Sequence, residues 1–407
     1  MRRCHLPGLT EGLAGARRHR LHRRIRSVVV VDQDSRSGHR LGYTNGASST
    51  HCRIAASDIV ILSAEQRDLA SSVRALLAKH ANVRRAMVSD SGYDADLWRR
   101  LCDQIGIAAL AIPEEFDGIG AGAVESHVVL EELGKLLVPT PMLGSVVLAA
   151  QALLAIGDTD TNSRLLPGIA DGTSIAALCW AGASGWDEIG VSFDGDTLTG
   201  AAHYVLDGSA ADVLIVVAHH GNDVAFFEID PATVTRREVR TMDPTRRFAV
   251  VEFDAVTGRR LPTEDAAAVL NRVRTIACAA LAAEQVGAAD RCLAMTVEYT
   301  KSRVQFGRPI GSFQALKHRM ADMFALVETA RSASYAATNS LAADDAAVAK
   351  VYCSEAFSQV AAESIQLHGG IAITWEHDAQ LYFKRAHGSA QLFGSPETYI
   401  RRFAQLA

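Results

Sequence analysis

The spacing of apolar residues along this chain changes twice, from a helical period to alternation and back, and that order restricts the available folds more than any single motif. Ser63 with Gln66 three residues on is a capping-box pattern, and Leu69, Val73, Leu76 and Leu77 then recur at helical spacing. Leu97, Leu101 and Ile105 repeat it over 94–105, the segment from Ile112-Pro113 to Asp117-Gly118 breaks it, and helices are predicted again over 123–137 and 145–156. After Gly172 the text becomes β-branched or alternating. Runs over 174–180, 191–193, 197–206, 213–218, 224–229 and 248–253, separated by Asp194-Gly195, Asp207-Gly208 and Gly221-Asn222, predict six strands of a sandwich or barrel. Thr263 reads as the N-cap of a helix reaching Ser302, followed by helices over 312–341, 344–368 and 376–392 and a short one over 395–404. The expected fold class is α+β: a helical domain over 61–172, a middle β-barrel or sandwich domain over 173–260, and a C-terminal four-helix bundle over 261–407.

Composition supports a large buried core. The chain has 407 residues, 48% hydrophobic and 21% charged, which excludes a disulfide-stapled miniature and global disorder. The net charge of -5 is uneven: residues 1–50 carry ten Arg, no Lys and only three acids (Glu11, Asp32, Asp34), so the remainder is acidic. The head reads either as a nucleic-acid or targeting arm or as a disordered basic extension over 1–60, outside the fold; the acidic body argues against nucleic-acid work. The least charged stretch, 138–157, is interrupted by Pro139, Thr140, Pro141, Gly144 and Gln151 and reads poorly as a membrane span. Seven cysteines, odd in number and without a CxxC pair, suggest reduced thiols in a cytoplasmic protein and no zinc site. His203, His219 and His220 have no carboxylate at ligand spacing, so no metal is expected.

Two segments carry chemistry. Arg303-Val304-Gln305-Phe306-Gly307-Arg308-Pro309-Ile310-Gly311-Ser312-Phe313-Gln314 sets an always-charged guanidinium, an aromatic ring and an amide around a Gly/Pro turn, a combination suited to a pyrophosphate-bearing cofactor with a flat ring system. Gln366-Leu367-His368-Gly369-Gly370 ends a helix on two glycines, where backbone can approach a ligand. Taken singly, the first is an ordinary turn and the second an ordinary C-cap. In this order and spacing they resemble the FAD signature of the acyl-CoA dehydrogenase family, and the resemblance runs from Ser63 to the C-terminus. The segment Ile112 to Gly120 looks like that family's N-domain loop, and Leu198-Thr199-Gly200, Tyr204-Val205 and Ala211-Asp212 look like its β-domain.

The resemblance implies that Arg303 pairs with the FAD pyrophosphate, Phe306 packs on the cofactor and Gln314 contacts its adenine side. It implies that Gln366, Gly369 and Gly370 reach FAD from a neighbouring subunit, in a homo- or heterotetramer. The implied reaction is oxidation of an acyl-CoA to a trans-2-enoyl-CoA, with electrons passed to an electron-transfer flavoprotein. Such a reaction needs a carboxylate base for the α-proton. Here the sequence departs from the family. The usual base position, aligned from Arg385 through Gln391-Leu392-Phe393, is Gly394, and the alternative position on the long helix is Ala277, aligned on Glu284-Gln285-Val286-Gly287. Glu397 and Glu376 are the remaining candidates. A second departure is Cys179-Trp180-Ala181-Gly182-Ala183-Ser184-Gly185-Trp186, where the family has a flavin-contacting segment; Trp180 reads either as a cover for the flavin or as packing. Arg246-Arg247 reads either as a contact for a CoA phosphate or as a surface turn. The alternative function is a non-catalytic FAD-binding partner subunit, similar to those of the heteromeric enzymes that actinobacteria use on sterol-derived acyl-CoAs.

Overall fold

The structure, a computed structural model, describes residues 62–405, so the basic segment 1–60 lies outside the described residues. The first layer is helical: α1 (Ala64–His80), α2 (Val83–Ala86), α3 (Ala95–Ile105) and α4 (Ala123–Leu136), then a π-helix (Met142–Ala149), α5 (Ala150–Ile156) and α6 (Thr159–Ala170). The Ser63 capping box forms as expected, each partner satisfying the other's end of the first turn. The helix expected over 145–156 differs: its first half is wound as a π-helix and starts earlier, at Met142. All eight of its residues are buried, and the Ser145 hydroxyl accepts the Ala176 N–H at 2.9 Å, which anchors the first strand.

Ten strands follow: β1 (Ala176–Cys179), β2 (Ala181–Gly182), β3 (Gly185–Ile189), β4 (Val191–Asp194), β5 (Thr197–Leu206), β6 (Val213–His220), β7 (Asp223–Ile229), β8 (Thr235–Val239), β9 (Phe248–Thr257) and β10 (Arg259–Leu261). Eight form one sheet in the order β10-β7-β6-β4-β5-β9-β8, with β1 parallel beside β6, while β2 and β3 make a separate ribbon. Val191, Leu198, Leu214, Val216, Phe227 and Val251 form part of its core. Strand β8, Thr-Arg-Arg-Glu-Val, was hidden by its charge, which is how an edge strand resists unwanted pairing. The register of β5 on β9 shifts between Ala202 and Val205, and there Tyr204 takes a left-handed φ of 54° and turns partly outward.

The last layer contains α7 (Ala266–Ser302), a hairpin of β11 (Val304–Gln305) and β12 (Arg308–Pro309), α8 (Gln314–Ser340), α9 (Ala343–His368), α10 (Ala379–Gln391) and α11 (Pro396–Gln405). The N-cap of α7 is Asp265, which accepts from the Ala268 N–H at 2.9 Å, and not Thr263. By length and composition α7 could cross a membrane, but much of it is buried against α4, α8 and α9. The helix expected from Glu376 begins only at Ala379, after a 3-10 turn over Gly369–Ile373.

The three layers meet at Glu284. Its carboxylate accepts from Arg246, in the loop before β9, and from Arg385 of α10. Arg385 also donates to Asp243 at 2.6 Å and, through Nη2, to the Thr245 carbonyl and hydroxyl at 2.8 and 2.6 Å. Burial would push the Glu284 carboxyl up, but the two guanidiniums hold it below the usual range. Arg246 is therefore a buried tie and not a surface turn, and Arg247 pairs with Glu238 and donates to the Met87 and Ser89 carbonyls at 3.0 Å. On the same side of α7, the helical layer comes very close: a Cβ on Gly134 would lie 2.2 Å from the Glu284 carbonyl oxygen, and one on Gly287 would lie 1.9 Å from that of Glu131.

Beside this junction Asp207 faces a void of about 30 Å³, the size of one water, which Arg246 also lines. Burial pushes the Asp207 carboxyl up from 3.8 to about 7 against the pull of Arg246 and the Gly144 N–H. A carboxyl raised on folding binds more protons in the folded state, so its contribution to stability is lost as pH rises through that window. Two outcomes are expected in denaturant unfolding. Glu284→Gln should lose about 3–5 kcal/mol, because it leaves two buried guanidiniums short of a counter-charge. Asp207→Asn should gain on wild type near about pH 8, with the gap closing toward about pH 4.5; a gap that widens at low pH would contradict the assignment.

Candidate functional site

The turn that carries the usual base position is built around glycine. Phe393 and Gly394 follow α10 in two successive left-handed conformations, φ 60° and 110°. The Tyr399 hydroxyl donates to the Phe393 carbonyl at 2.7 Å, and a Cβ on Gly394 would meet Tyr399 Cε2 at 3.2 Å. From below, the fully buried Lys350 ammonium donates to the Ala390 carbonyl at 2.8 Å and the Ser354 hydroxyl at 3.2 Å, capping the end of α10. Burial pushes that ammonium down to about 8. Gln285 donates to the Ser354 and Ser389 hydroxyls, both at 3.1 Å, and completes the support. Facing the turn, Phe393 stacks on Trp180 at 5.9 Å and meets Trp186 edge-on at 5.0 Å. Trp180 is only 1% exposed and gives its indole N–H to the Trp186 carbonyl at 3.3 Å, so it is core packing between the β2–β3 ribbon and the bundle.

Behind Tyr399 lies a cavity of about 350 Å³. Its walls are Asn271, Arg274, Thr275 and Cys278 of α7, Ala343, Asp344, Ala346 and Ala347 of α9, and Tyr399, Arg402 and Phe403 of α11. Its lining includes Tyr399, which a Cβ on Gly394 would meet, and Cys278, which follows Ala277 in α7, but neither Gly394 nor Ala277 lines it. Its floor is a thiol 3.1 Å from a phenol, both pushed up by burial. Asp344, exposed at the rim, is the one carboxylate in this lining. Arg274 donates to the Trp186 carbonyl at 2.8 Å and pairs with Asp187 at 3.6 Å, while its buried Nε has no acceptor. Neither remaining acid joins this cavity. Glu397 is exposed in the first turn of α11, and Glu376 is exposed in the turn before α10, where Arg84 pairs with Asp378 at 2.7 Å and Lys384 covers the Trp375 ring.

The two halves of the cofactor signature lie at one end of the bundle. Arg303 caps the C-terminus of α7 and Gly369 that of α9, and the Tyr299 ring meets His368 at a tilt, 4.6 Å between centroids. Arg303, Phe306, Gln314, Gln366, Gly369 and Gly370 are all exposed. Phe306, at the hairpin tip with φ 53°, is 91% exposed, and a Cβ on Gly369 or Gly370 would meet nothing within 4 Å. Arg303 makes no ion pair among the described residues.

Residues 63–173 match the family described as acyl-CoA dehydrogenase, N-terminal domain, and residues 268–406 match acyl-CoA dehydrogenase, C-terminal domain. Over 346 residues the chain is 46% identical to acyl-CoA dehydrogenase IpdE2 of Mycolicibacterium smegmatis, covering 84% of this chain and 98% of that one. The chain belongs to the acyl-CoA dehydrogenase family. Members of this family are oxidoreductases acting on acyl-CoA thioesters. Among solved structures, the ChsE4-ChsE5 complex of Mycobacterium tuberculosis is 30% identical with a TM-score of 0.78, covering 85% of this chain and 97% of that one. The Tcur3481-Tcur3483 steroid ACAD is 29% identical with a TM-score of 0.76, covering 84% and 97%.

Gly394 sits where its backbone disfavours any side chain, so its glycine is part of the turn's geometry. Gly394→Ala should cost about 1–3 kcal/mol in denaturant unfolding. Pairing it with Tyr399→Phe, which removes the hydroxyl tie but keeps the ring, should leave most of that cost in place.

Proposed function

We propose that this chain is a non-catalytic subunit of a heteromeric FAD-dependent acyl-CoA dehydrogenase, lending cofactor-binding surface to a homologous partner that supplies the base. One observation carries the reading: Arg303, Phe306, Gln314, Gln366, Gly369 and Gly370 are all exposed, with Arg303 in no ion pair among the described residues, while Gly394 and Ala277, the positions that the resemblance assigns to the base, carry no carboxylate. The residues at that end fit FAD. A free guanidinium matches a pyrophosphate, an exposed ring matches a flat heterocycle, and a glycine pair facing open space lets backbone approach.

In this reading Arg303 binds the pyrophosphate, Phe306 packs on the cofactor and Gln314 reaches its adenine side. Gln366, Gly369 and Gly370 present backbone and an amide to the same cofactor across the subunit interface. When bound, FAD accepts the β-hydride of the acyl-CoA, and an electron-transfer flavoprotein then takes the electrons. In this reading neither Gly394 nor Ala277 offers a carboxylate for the α-proton, and its removal falls to the homologous subunit. The pairing of two differently named chains in the ChsE4-ChsE5 and Tcur3481-Tcur3483 relatives supports a heteromer, for which we propose a heterotetramer, and the word steroid in the description of the second supports a bulky ring-bearing acyl-CoA. We place the assembly in the cytoplasm, in keeping with five free, buried thiols among the described residues.

The test is co-expression with homologous subunits followed by measurement of bound flavin and its bleaching by acyl-CoA. Flavin retained and bleached only in the mixed complex, with Arg303→Ala lowering flavin content at least about tenfold, is the expected result. Bleaching by the purified lone chain, abolished by Glu397→Gln or Glu376→Gln, would replace this reading with that of a self-sufficient dehydrogenase.

A further inference from the structure

The cofactor end carries a second free guanidinium, at a position that the family resemblance leaves without a role. Arg308 opens β12 just after the hairpin turn, where Phe306 and Gly307 take φ values of 53° and 75°. It is exposed and makes no ion pair among the described residues. Its side chain is nevertheless held: the guanidinium carbon lies 4.0 Å from the centre of the Phe313 ring, a cation–π contact that fixes a long side chain and leaves its N–H donors for a ligand. Phe313, half-buried ahead of α8, also meets the Phe306 ring edge-on at 6.1 Å. The register sets Arg308 relative to Arg303. Gln305 pairs with Arg308, and the Arg303 carbonyl accepts the Ile310 N–H at 2.8 Å, so Arg303 and Arg308 are diagonal neighbours across the ribbon. Diagonal neighbours lie about 7–8 Å apart, within reach of long side chains. A dinucleotide pyrophosphate is a dianion near neutral pH, and Arg303 alone would balance half of it. Other cations on the adjoining helix ends fit less well. Arg319 is held by Glu363 at 2.6 Å, and Lys301 and Lys317 are exposed with neither ring nor acid to fix them among the described residues. We propose that Arg308 is the second cation of the pyrophosphate site, with Phe313 as the positioning residue that holds it. The inference rests on the reading of the Arg303 end as an FAD-binding surface and adds to it the residue that completes its charge.

The mixed complex is stripped of flavin and titrated with FAD, with flavin fluorescence as the readout and subunit association followed in parallel by sedimentation. Arg308→Gln should weaken FAD binding about tenfold, the size expected for losing hydrogen bonds to a charged group. Arg308→Lys keeps the charge but neither the planar fork nor its place on the ring, and should recover only part of that loss. Lys317→Gln removes the same charge from the first turns of α8 and should change the affinity less than about twofold. Phe313→Leu should weaken binding about threefold by freeing the Arg308 side chain. Most of that effect should vanish in an Arg308→Gln background, a coupling that a purely structural role for the ring would not give. FAD affinity unmoved by Arg308→Gln, or moved equally by Lys317→Gln, would overturn the proposal. So would weakened subunit association with the FAD affinity of the assembled complex intact, which would make Arg308 a contact for an acidic group of the partner. Arg303→Ala separates the two levels. FAD binding that falls on Arg303→Ala but is indifferent to Arg308→Gln refutes only this inference, whereas a complex that binds no FAD, or binds it regardless of Arg303, refutes the underlying reading as well.

Discussion

The three layers of this molecule are held in register by one carboxylate. Glu284 sits on the longest helix, accepts from a guanidinium of the sheet layer and another of the bundle, and occupies a helix face so close to α4 that Gly134 and Gly287 have no room for a side chain. Each guanidinium shares the carboxylate, and Asp243 with Thr245 takes up the remaining Arg385 donors, while Arg246 keeps one buried N–H group, Nη1, without a partner. Because α7 carries Glu284 and Cys278 less than two turns apart, the junction also fixes where the cavity floor lies relative to the sheet.

Around the turn at Gly394 the same economy of contacts serves a different end. Lys350 caps the helix that leads into the turn, Tyr399 ties its carbonyl, and Phe393 is clamped by Trp180 and Trp186. A turn held on three sides and threaded through two left-handed residues is a finished structure, in which glycine is required by backbone geometry as well as tolerated.

Much of the fold was legible in periodicity. The change from helical spacing to alternation and back marks the three layers because burying one face of a helix or strand leaves a repeat of 3.6 or 2 in the text. The failures have local causes. The π-helix at Met142 keeps the apolar content of an α-helix, so its altered winding leaves little periodic trace; β8 carries three charged residues because it lies on an edge; Asp265 displaced Thr263 as N-cap because both are good caps two residues apart. Of the site, Arg303, Phe306, Gln314 and the Gln366 to Gly370 segment were visible as a spaced motif, and Gly394 as a missing acid. Arg274, Lys350 and Tyr399 were not singled out, since an arginine, a lysine and a tyrosine on helices carry no local signature until burial gives them a role.

The sequence by itself determined the order of layers and the family, because these depend on residue type and spacing along the chain. Only the tertiary structure decided that Arg246 is a buried tie, that Trp180 packs instead of lying open, and that a cavity of about 350 Å³ opens between α7, α9 and α11. Those properties arise from which distant segments meet, and solvation, partnership and free volume are set by that meeting.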